Sequence, residues 1–324
     1  MLFRSPEYAA ALRELAAMGA EPLYTGDLAA AIAAKVQNNN VRAGRLTAED
    51  LAKYNAHVGK PLCSAYRDYE VCGPPLPSSG GVTAQQVFGI LGTFDLAKLR
   101  DDRTQAIHFF VEANRLAFAD RSLYLGDPEF VPAPVAALLA PAYLRERAAL
   151  ISPLKALPTV SAGVPLPLAA WDFAPGDPSE RPSTSHFSIV DKFGDAVAMT
   201  TSVQGAFGSQ LMVGGFILNN QLTDFDYVPE AGGKPVANRI EGGKRPLSSM
   251  APTMVLDQRG RLRLLVGSPG GTRIIGFVAQ SVVGYLDWHL SAQQAVAAPH
   301  YLAERGPVEL EEDTDVVAQR LALE

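Results

Sequence analysis

The chain has 324 residues, a formal net charge of −6, 48% hydrophobic and 19% charged residues, and two cysteines. That length buries a large core as one big domain or two ordinary ones, and the apolar content excludes a disordered chain. Two cysteines make no disulfide framework, the mild acidity argues against nucleic acid or an anionic membrane as the main partner, and no apolar run reaches the roughly 18 residues of a membrane span. Met1 to Glu14 carries Arg4, Glu7, Arg13 and Glu14 and lacks the apolar centre of an export signal, so the sequence assigns no compartment.

In chain order, residues 1 to about 150 are expected to be mainly helical. Ala9, Leu12, Leu15 and Ala16 give a first apolar face. Thr47 reads as an N-cap with Asp50 at the third helical position. Leu62 to Tyr66 and Tyr69 to Cys72 read as two short strands. Cys63 and Cys72 flank that hairpin; the favoured reading is two free buried thiols, with a disulfide as the alternative. The Pro74-Pro75-Leu76-Pro77-Ser78-Ser79-Gly80-Gly81 run reads as a rigid turn feeding a helix over about Thr83 to Leu91. Ile107, Phe110, Val111, Asn114 and Phe118 trace the core face of a longer helix.

Residues 151 to 183 hold seven prolines, from Pro153 to Pro182, and are expected to form an extended linker. From Thr184 the pattern turns to strands. Thr184 to Val190 alternates, Asp191 to Asp195 turns, and Ala196 to Val203 returns; a hairpin symmetric about Phe193 sets Thr184 opposite Ser202. Phe216 to Leu218 is a short strand. Thr253 to Leu256 and Leu262 to Val266 form a second hairpin about the Asp257 to Gly260 turn. Gly270-Gly271 then opens a helix whose core face is Ile274, Phe277, Val278, Ser281, Val282 and Tyr285.

Four segments are open to two readings each. Thr184 is either an ordinary strand residue or, if the chain is cut before it, a nucleophile whose own α-amino group serves as base. Gly267-Ser268-Pro269-Gly270-Gly271-Thr272-Arg273 is either a tight strand-to-helix turn or a set of backbone N–H donors for an oxyanion. Asn219-Asn220-Gln221-Leu222-Thr223-Asp224-Phe225 is either a capped turn or a set of groups that hold the ends of an amino acid. Arg245-Pro246-Leu247-Ser248-Ser249-Met250 is either a plain turn or two hydroxyl donors for a carboxylate. The five histidines are scattered, and packing is the favoured role of His186, on the same strand face as Thr184. No P-loop, dinucleotide fingerprint, HExxH helix or GxSxG elbow occurs.

These segments together resemble the γ-glutamyltranspeptidase family of N-terminal-nucleophile hydrolases. The matching stretches are Thr184 to Asp191, Leu218 to Phe225, Lys244 to Met250 and Gly267 to Gly271, supported by Pro77 to Gly81, Ala117 to Arg121 and Tyr124 to Pro128. The resemblance runs from about Tyr8 to about Leu310. It implies an α+β fold, the αββα sandwich of N-terminal-nucleophile hydrolases, incomplete at both ends. Residues 1–150 would belong to the large subunit, 151–183 to the linker ending at the processing site, and 184–324 to the small subunit.

The resemblance further implies self-cleavage between Ser183 and Thr184 into two subunits that stay together as a heterodimer. Thr184 would then attack a γ-glutamyl amide such as glutathione, and water or an amino acid would take the acyl group. Ser202 would support the nucleophile, Gln221 and Asp224 would hold the substrate α-amino group, and Ser248 and Ser249 the α-carboxylate. The Gly270 and Gly271 amides would form the oxyanion hole. No metal, cofactor, nucleic acid or membrane is called for, and members are commonly periplasmic or secreted.

Gln204 stands where well-known members carry asparagine, a donor-binding position. Phe225 to Lys244 is shorter than the lid loop of lidded members, which implies a more open site. No residue matches the family arginine that binds the donor α-carboxylate. Two alternatives remain: an acylase with the same nucleophile acting on a cephalosporin side chain or poly-γ-glutamate, and an unprocessed chain that binds ligand without turnover.

Overall fold

The computed structural model describes residues 4–167, 171–177 and 183–323, so Pro178 and Pro182 of the expected linker lie outside the described residues. The chain divides into two compact units, Met1–Val58 with Ser202–Gln221, and Gly59–Thr201 with Leu222–Glu324.

The smaller unit starts with α1 (Pro6–Met18), α2 (Asp27–Gln37) and α3 (Ala48–Lys53). Ser5 caps α1 ahead of a proline at the first helical position, where the missing N–H costs nothing. The expected inner face of α1 is corrected by the structure: Ala11 is buried, whereas Leu12 and Ala16 are exposed. A short helix of mostly alanine offers several near-equivalent apolar stripes, and packing chooses among them. At α3 the Thr47 hydroxyl accepts from the Asp50 N–H at 3.1 Å, and Asp50 Oδ2 accepts from the Thr47 N–H at 2.9 Å. This is the expected start, closed as a reciprocal capping box.

The larger unit is built on a four-stranded antiparallel sheet. Its first hairpin is β1 (Leu62–Tyr66) and β2 (Tyr69–Gly73). Cys63 faces Cys72 across it and the two form a disulfide, which overturns the expectation of free thiols. Facing cysteines in adjacent antiparallel strands have Cα atoms close enough to bridge, here 4.1 Å apart. Next comes α4 (Ser79–Leu91), which starts four residues before the expected Thr83. Glycine is required at positions 80 and 81 of this helix, since a Cβ on Gly80 would strike Ala251 and the Met250 carbonyl, and one on Gly81 the Pro74 carbonyl. Glycine reads as a turn residue in sequence; here it serves close backbone approach inside a helix.

Helix α5 (Arg103–Tyr124) buries all five residues of its expected core face. The short helices α6 (Val135–Leu138) and α7 (Pro141–Ala148) follow. Among the described residues of the linker no helix or strand forms, as its prolines predict, but it does not float free. Ala174 bridges to Val236, the Gly176 N–H donates to the Ser122 carbonyl at 2.9 Å, and Arg305 donates to the Gly176 carbonyl at 3.0 Å.

Strands β3 (Thr184–Val190) and β4 (Ala196–Ser202) pair as a two-stranded sheet. One face carries Thr184, His186 and Ser188, while Phe187, Ile189, Val197 and Met199 are exposed on the other. In the smaller unit β5 (Met212–Val213) and β6 (Phe216–Ile217) make a tight hairpin whose Gly214 and Gly215 have positive φ and lie against Leu28 and Tyr8. Back in the larger unit, β7 (Glu230–Ala231) and β8 (Lys234–Pro235) form a minimal hairpin.

The main sheet is completed by β9 (Thr253–Asp257) and β10 (Leu262–Val266), giving the order β1-β2-β9-β10. The expected Asp257 to Gly260 turn is held by the Asp257 carboxylate, which accepts from the Arg259 and Arg261 N–H groups. Helix α8 (Ile274–Leu286) follows, its expected face buried apart from half-buried Phe277 and Tyr285. Phe88, Ile90, Phe110, Val255, Ile275 and Val278 are among the side chains that make one continuous core between these helices and the sheet.

Candidate active site

Within the larger unit, Thr184 opens β3 and is half-buried, directly after Ser183. Two residues on, His186 Nδ1 lies 2.9 Å from Thr200 Oγ1 and its Nε2 lies 3.0 Å from Ser188 Oγ. His186 and Thr200 are partners in the hairpin symmetric about Phe193, so this contact agrees with the expected register. Burial lowers the His186 pKa, favouring the neutral ring. The same ring packs on Gly267: a Cβ there would lie 2.6 Å from His186 Cγ and closer still to Nδ1. The nucleophile candidate's strand therefore lies against the head of the glycine turn.

That turn runs from the end of β10 into α8. Gly270 has φ 138° and Gly271 φ 63°, and Gly271 is buried. A residue with a Cβ is strained in either conformation, so the glycines permit a sharp change of direction. Backbone N–H groups at such a helix entry have no intrahelical acceptor and suit an oxyanion.

The Ser248-Ser249 segment is cradled by the start of α4. Ser248 pairs in parallel with Ser78, its carbonyl accepts from both the N–H and the hydroxyl of Ser79 at 2.7 Å, and its N–H donates to the Pro77 carbonyl at 3.1 Å. Ser249 is fully buried, and Arg121 Nη2 donates to its hydroxyl at 2.8 Å. Arg121 Nε donates to Ser79 Oγ at 2.8 Å as well, so one guanidinium fixes both segments. A serine oxygen that accepts from a guanidinium is polarised toward donating its own proton. The sequence contained this signal: Arg121 continues the Asn114 and Phe118 stripe of α5, which puts a charge on a core face.

Asp224 is buried at the end of a 3-10 turn over Gln221–Asp224. Its carbonyl accepts from Asn238 Nδ2 at 2.8 Å, and the same nitrogen donates to Asp226 Oδ2 at 3.0 Å. Asn238 Oδ1 accepts from the Leu247 N–H at 2.9 Å, immediately before Ser248. Burial raises the Asp226 pKa against hydrogen bonds from Asn238 and the Asp177 N–H that lower it. Nothing in the pattern around Asn238 marks it in advance.

Ser202, Gln204 and Gln221 lie in the smaller unit. There the Gln204 N–H donates to Ser202 Oγ at 2.8 Å, and Gln204 is buried with φ 74°. Asn220 Oδ1 accepts from the Gly205 N–H and Asn219 Oδ1 from the Gln221 N–H, both at 2.9 Å. Those two asparagines brace the backbone, as the capped-turn reading expects. Among the described residues the acidic and cysteine group that could suit a metal is Cys63, Glu70 and Cys72. Its sulfurs are consumed by the disulfide, so it does not fit one.

The model of the gamma-glutamyltranspeptidase family matches residues 1–322. The chain is 39% identical over 313 residues to the glutathione hydrolase proenzyme of Escherichia coli strain K12, covering 93% of this chain and 51% of the relative. It is 37% identical over 318 residues to the acylase ACY 1 proenzyme of Pseudomonas sp. strain SE83, covering 97% and 53%. Its fold matches the crystal structure of cephalosporin acylase from Bacillus halodurans with a TM-score of 0.84 at 26% identity, over 99% of this chain and 54% of the other. Fold and likeness together define the class, an α+β N-terminal-nucleophile hydrolase. The chain belongs to the gamma-glutamyltranspeptidase family. It spans about half the length of the curated relatives it matches.

Proposed function

We propose that this chain carries the processing site and much of the catalytic machinery of a self-processing γ-glutamyl hydrolase or transferase, with Thr184 as nucleophile. The observation that carries the reading is the packing of the Thr184 strand on Gly267, at the head of the Gly270-Gly271 turn, in a member of this family. Cleavage between Ser183 and Thr184 frees an α-amino group, whose ordinary pKa of about 7.7–8.0 suits a base near neutral pH. The two products stay together as a heterodimer.

In the reaction, Thr184 Oγ1 attacks the γ-carbonyl carbon of a glutathione-like amide while the α-amino group takes the hydroxyl proton. The carbonyl oxygen becomes an oxyanion held by the Gly270 and Gly271 N–H groups. Its collapse breaks the C–N bond, and the departing amine takes the proton from the α-ammonium group. Water or an amino acid then attacks the γ-glutamyl ester, regenerating Thr184. Asp224 holds the substrate ammonium, and Ser248 and Ser249 the carboxylate, with Arg121 behind Ser249. Ser202 in support of the nucleophile, Gln204 at the donor and Gln221 beside the ammonium are carried over from the family resemblance.

N-terminal sequencing of the purified protein tests this. A fragment beginning Thr184-Ser185-His186 is expected, absent from Thr184→Ala; a chain that stays intact removes the mechanism. The same nucleophile in an acylase is the second reading, favoured by the acylase ACY 1 and cephalosporin acylase likenesses. Faster hydrolysis of glutaryl-p-nitroanilide than of γ-glutamyl-p-nitroanilide would select it.

A further inference from the structure

We propose that Asn238 is a positioning residue that sets the spacing between the ammonium-binding and carboxylate-binding halves of the substrate pocket, and thereby selects α-amino acids over their des-amino analogues. This rests on the roles given above to Asp224, Ser248 and Ser249. Asn238 is 3% exposed and occupies the loop between those halves. Its amide clasps three backbone or side-chain groups at once: the Asp224 carbonyl, the Asp226 carboxylate and the Leu247 N–H, at 2.8, 3.0 and 2.9 Å. The Asn238 backbone carbonyl accepts from the Asp226 N–H at 3.0 Å. One side chain thus ties residue 224 to residue 247, next to Ser248.

The two halves are anchored differently. The serine segment is fixed by Pro77 in the turn before α4, by Ser79 of α4 and by Arg121 of α5. The Asp224 turn is tied to that segment through Asn238. A γ-glutamyl group carries its ammonium and carboxylate on one carbon, so their receptors must keep a spacing within about 0.5 Å. A glutaryl group keeps the carboxylate and lacks the ammonium. Releasing Asp224 from residue 247 therefore weakens recognition of the first and leaves the second little changed.

The test is calorimetric binding of L-glutamate and of glutarate to the full chain, without reliance on turnover. Asn238→Ala is expected to weaken L-glutamate at least tenfold and glutarate less than threefold. Asn238→Asp keeps an acceptor for the Leu247 N–H, loses the donor to Asp224 and Asp226 and sets a second carboxylate against that of Asp226, and is expected to show the same selective loss. Equal weakening of both ligands, or of neither, overturns the proposal, as does failure of both variants to melt cooperatively, which would make Asn238 a folding residue. Wild-type protein that binds neither ligand would instead overturn the assignment of the pocket, and this inference with it.

Discussion

The ring of His186 occupies the space where Gly267 would carry a side chain. The strand that begins at Thr184 and the turn that ends at Gly271 meet at this contact, which exists because residue 267 has no Cβ. Gly267→Ala is expected to destabilise the protein by about 1–3 kcal/mol, the usual cost of overpacking. His186→Ala in the same chain should recover part of that loss. Urea unfolding of the four-member cycle checks this, with a coupling above about 0.5 kcal/mol expected for residues in contact.

His186 also makes stability depend on pH. Its pKa is depressed below 6.5 in the folded protein by burial. Below 6.5 the unfolded chain takes up a proton that the folded ring resists. Stability is therefore lost as pH falls from 6.5 through the depressed folded value. Thermal melts of wild type and His186→Gln between pH 7.5 and 5 should diverge in that window, with the variant less sensitive.

Arg121 donates to Ser79 and Ser249 from a fully buried position. Hydrogen bonds to a charged group contribute about 1.5–3 kcal/mol each, so Arg121→Ala should destabilise by about 3 kcal/mol or more. Arg121→Lys keeps the charge without the planar fork and should fall between the two. Urea midpoints distinguish the three proteins.

The Cys63–Cys72 disulfide closes a short loop, with a sequence separation of 9. Chain-entropy reasoning gives a contribution of about 2–3 kcal/mol for a loop of that size. Reductant should lower the melting temperature of wild type and leave a Cys63→Ser, Cys72→Ser variant unchanged.

Gly270 holds φ 138°, a conformation that side chains rarely adopt. If the proposed oxyanion role of Gly270 holds, Gly270→Ala turns the peptide groups of the loop and cuts the proposed turnover of γ-glutamyl-p-nitroanilide by about 100-fold or more, the scale of one lost oxyanion donor. Unchanged turnover would remove Gly270 from the oxyanion hole.

Local patterns carried far in this chain. The capping box at Thr47, the stripe from Ile107 to Phe118, the Asp257 turn and the His186–Thr200 register follow from spacing and turn chemistry over a few residues. The inner face of α1 and the start of α4 did not follow. Alanine leaves the choice of face to packing, and Gly80 and Gly81, which read as turn residues, lie inside a helix where the backbone of Met250 and Pro74 leaves no room for a Cβ. The disulfide was visible as a possibility at the hairpin, and the facing of Cys63 and Cys72 decided it.

The sequence by itself pointed to the family, through short motifs whose residue types suit the proposed chemistry: a threonine opening a strand, paired serines, paired glycines and an aspartate after a polar turn. Tertiary structure decided how those motifs are held. Arg121 lies 128 residues before Ser249, and Asn238 joins Asp224 to Leu247 through one amide. A buried polar side chain must find partners wherever the fold brings them, so its partners are set by packing and leave no periodic trace in the chain.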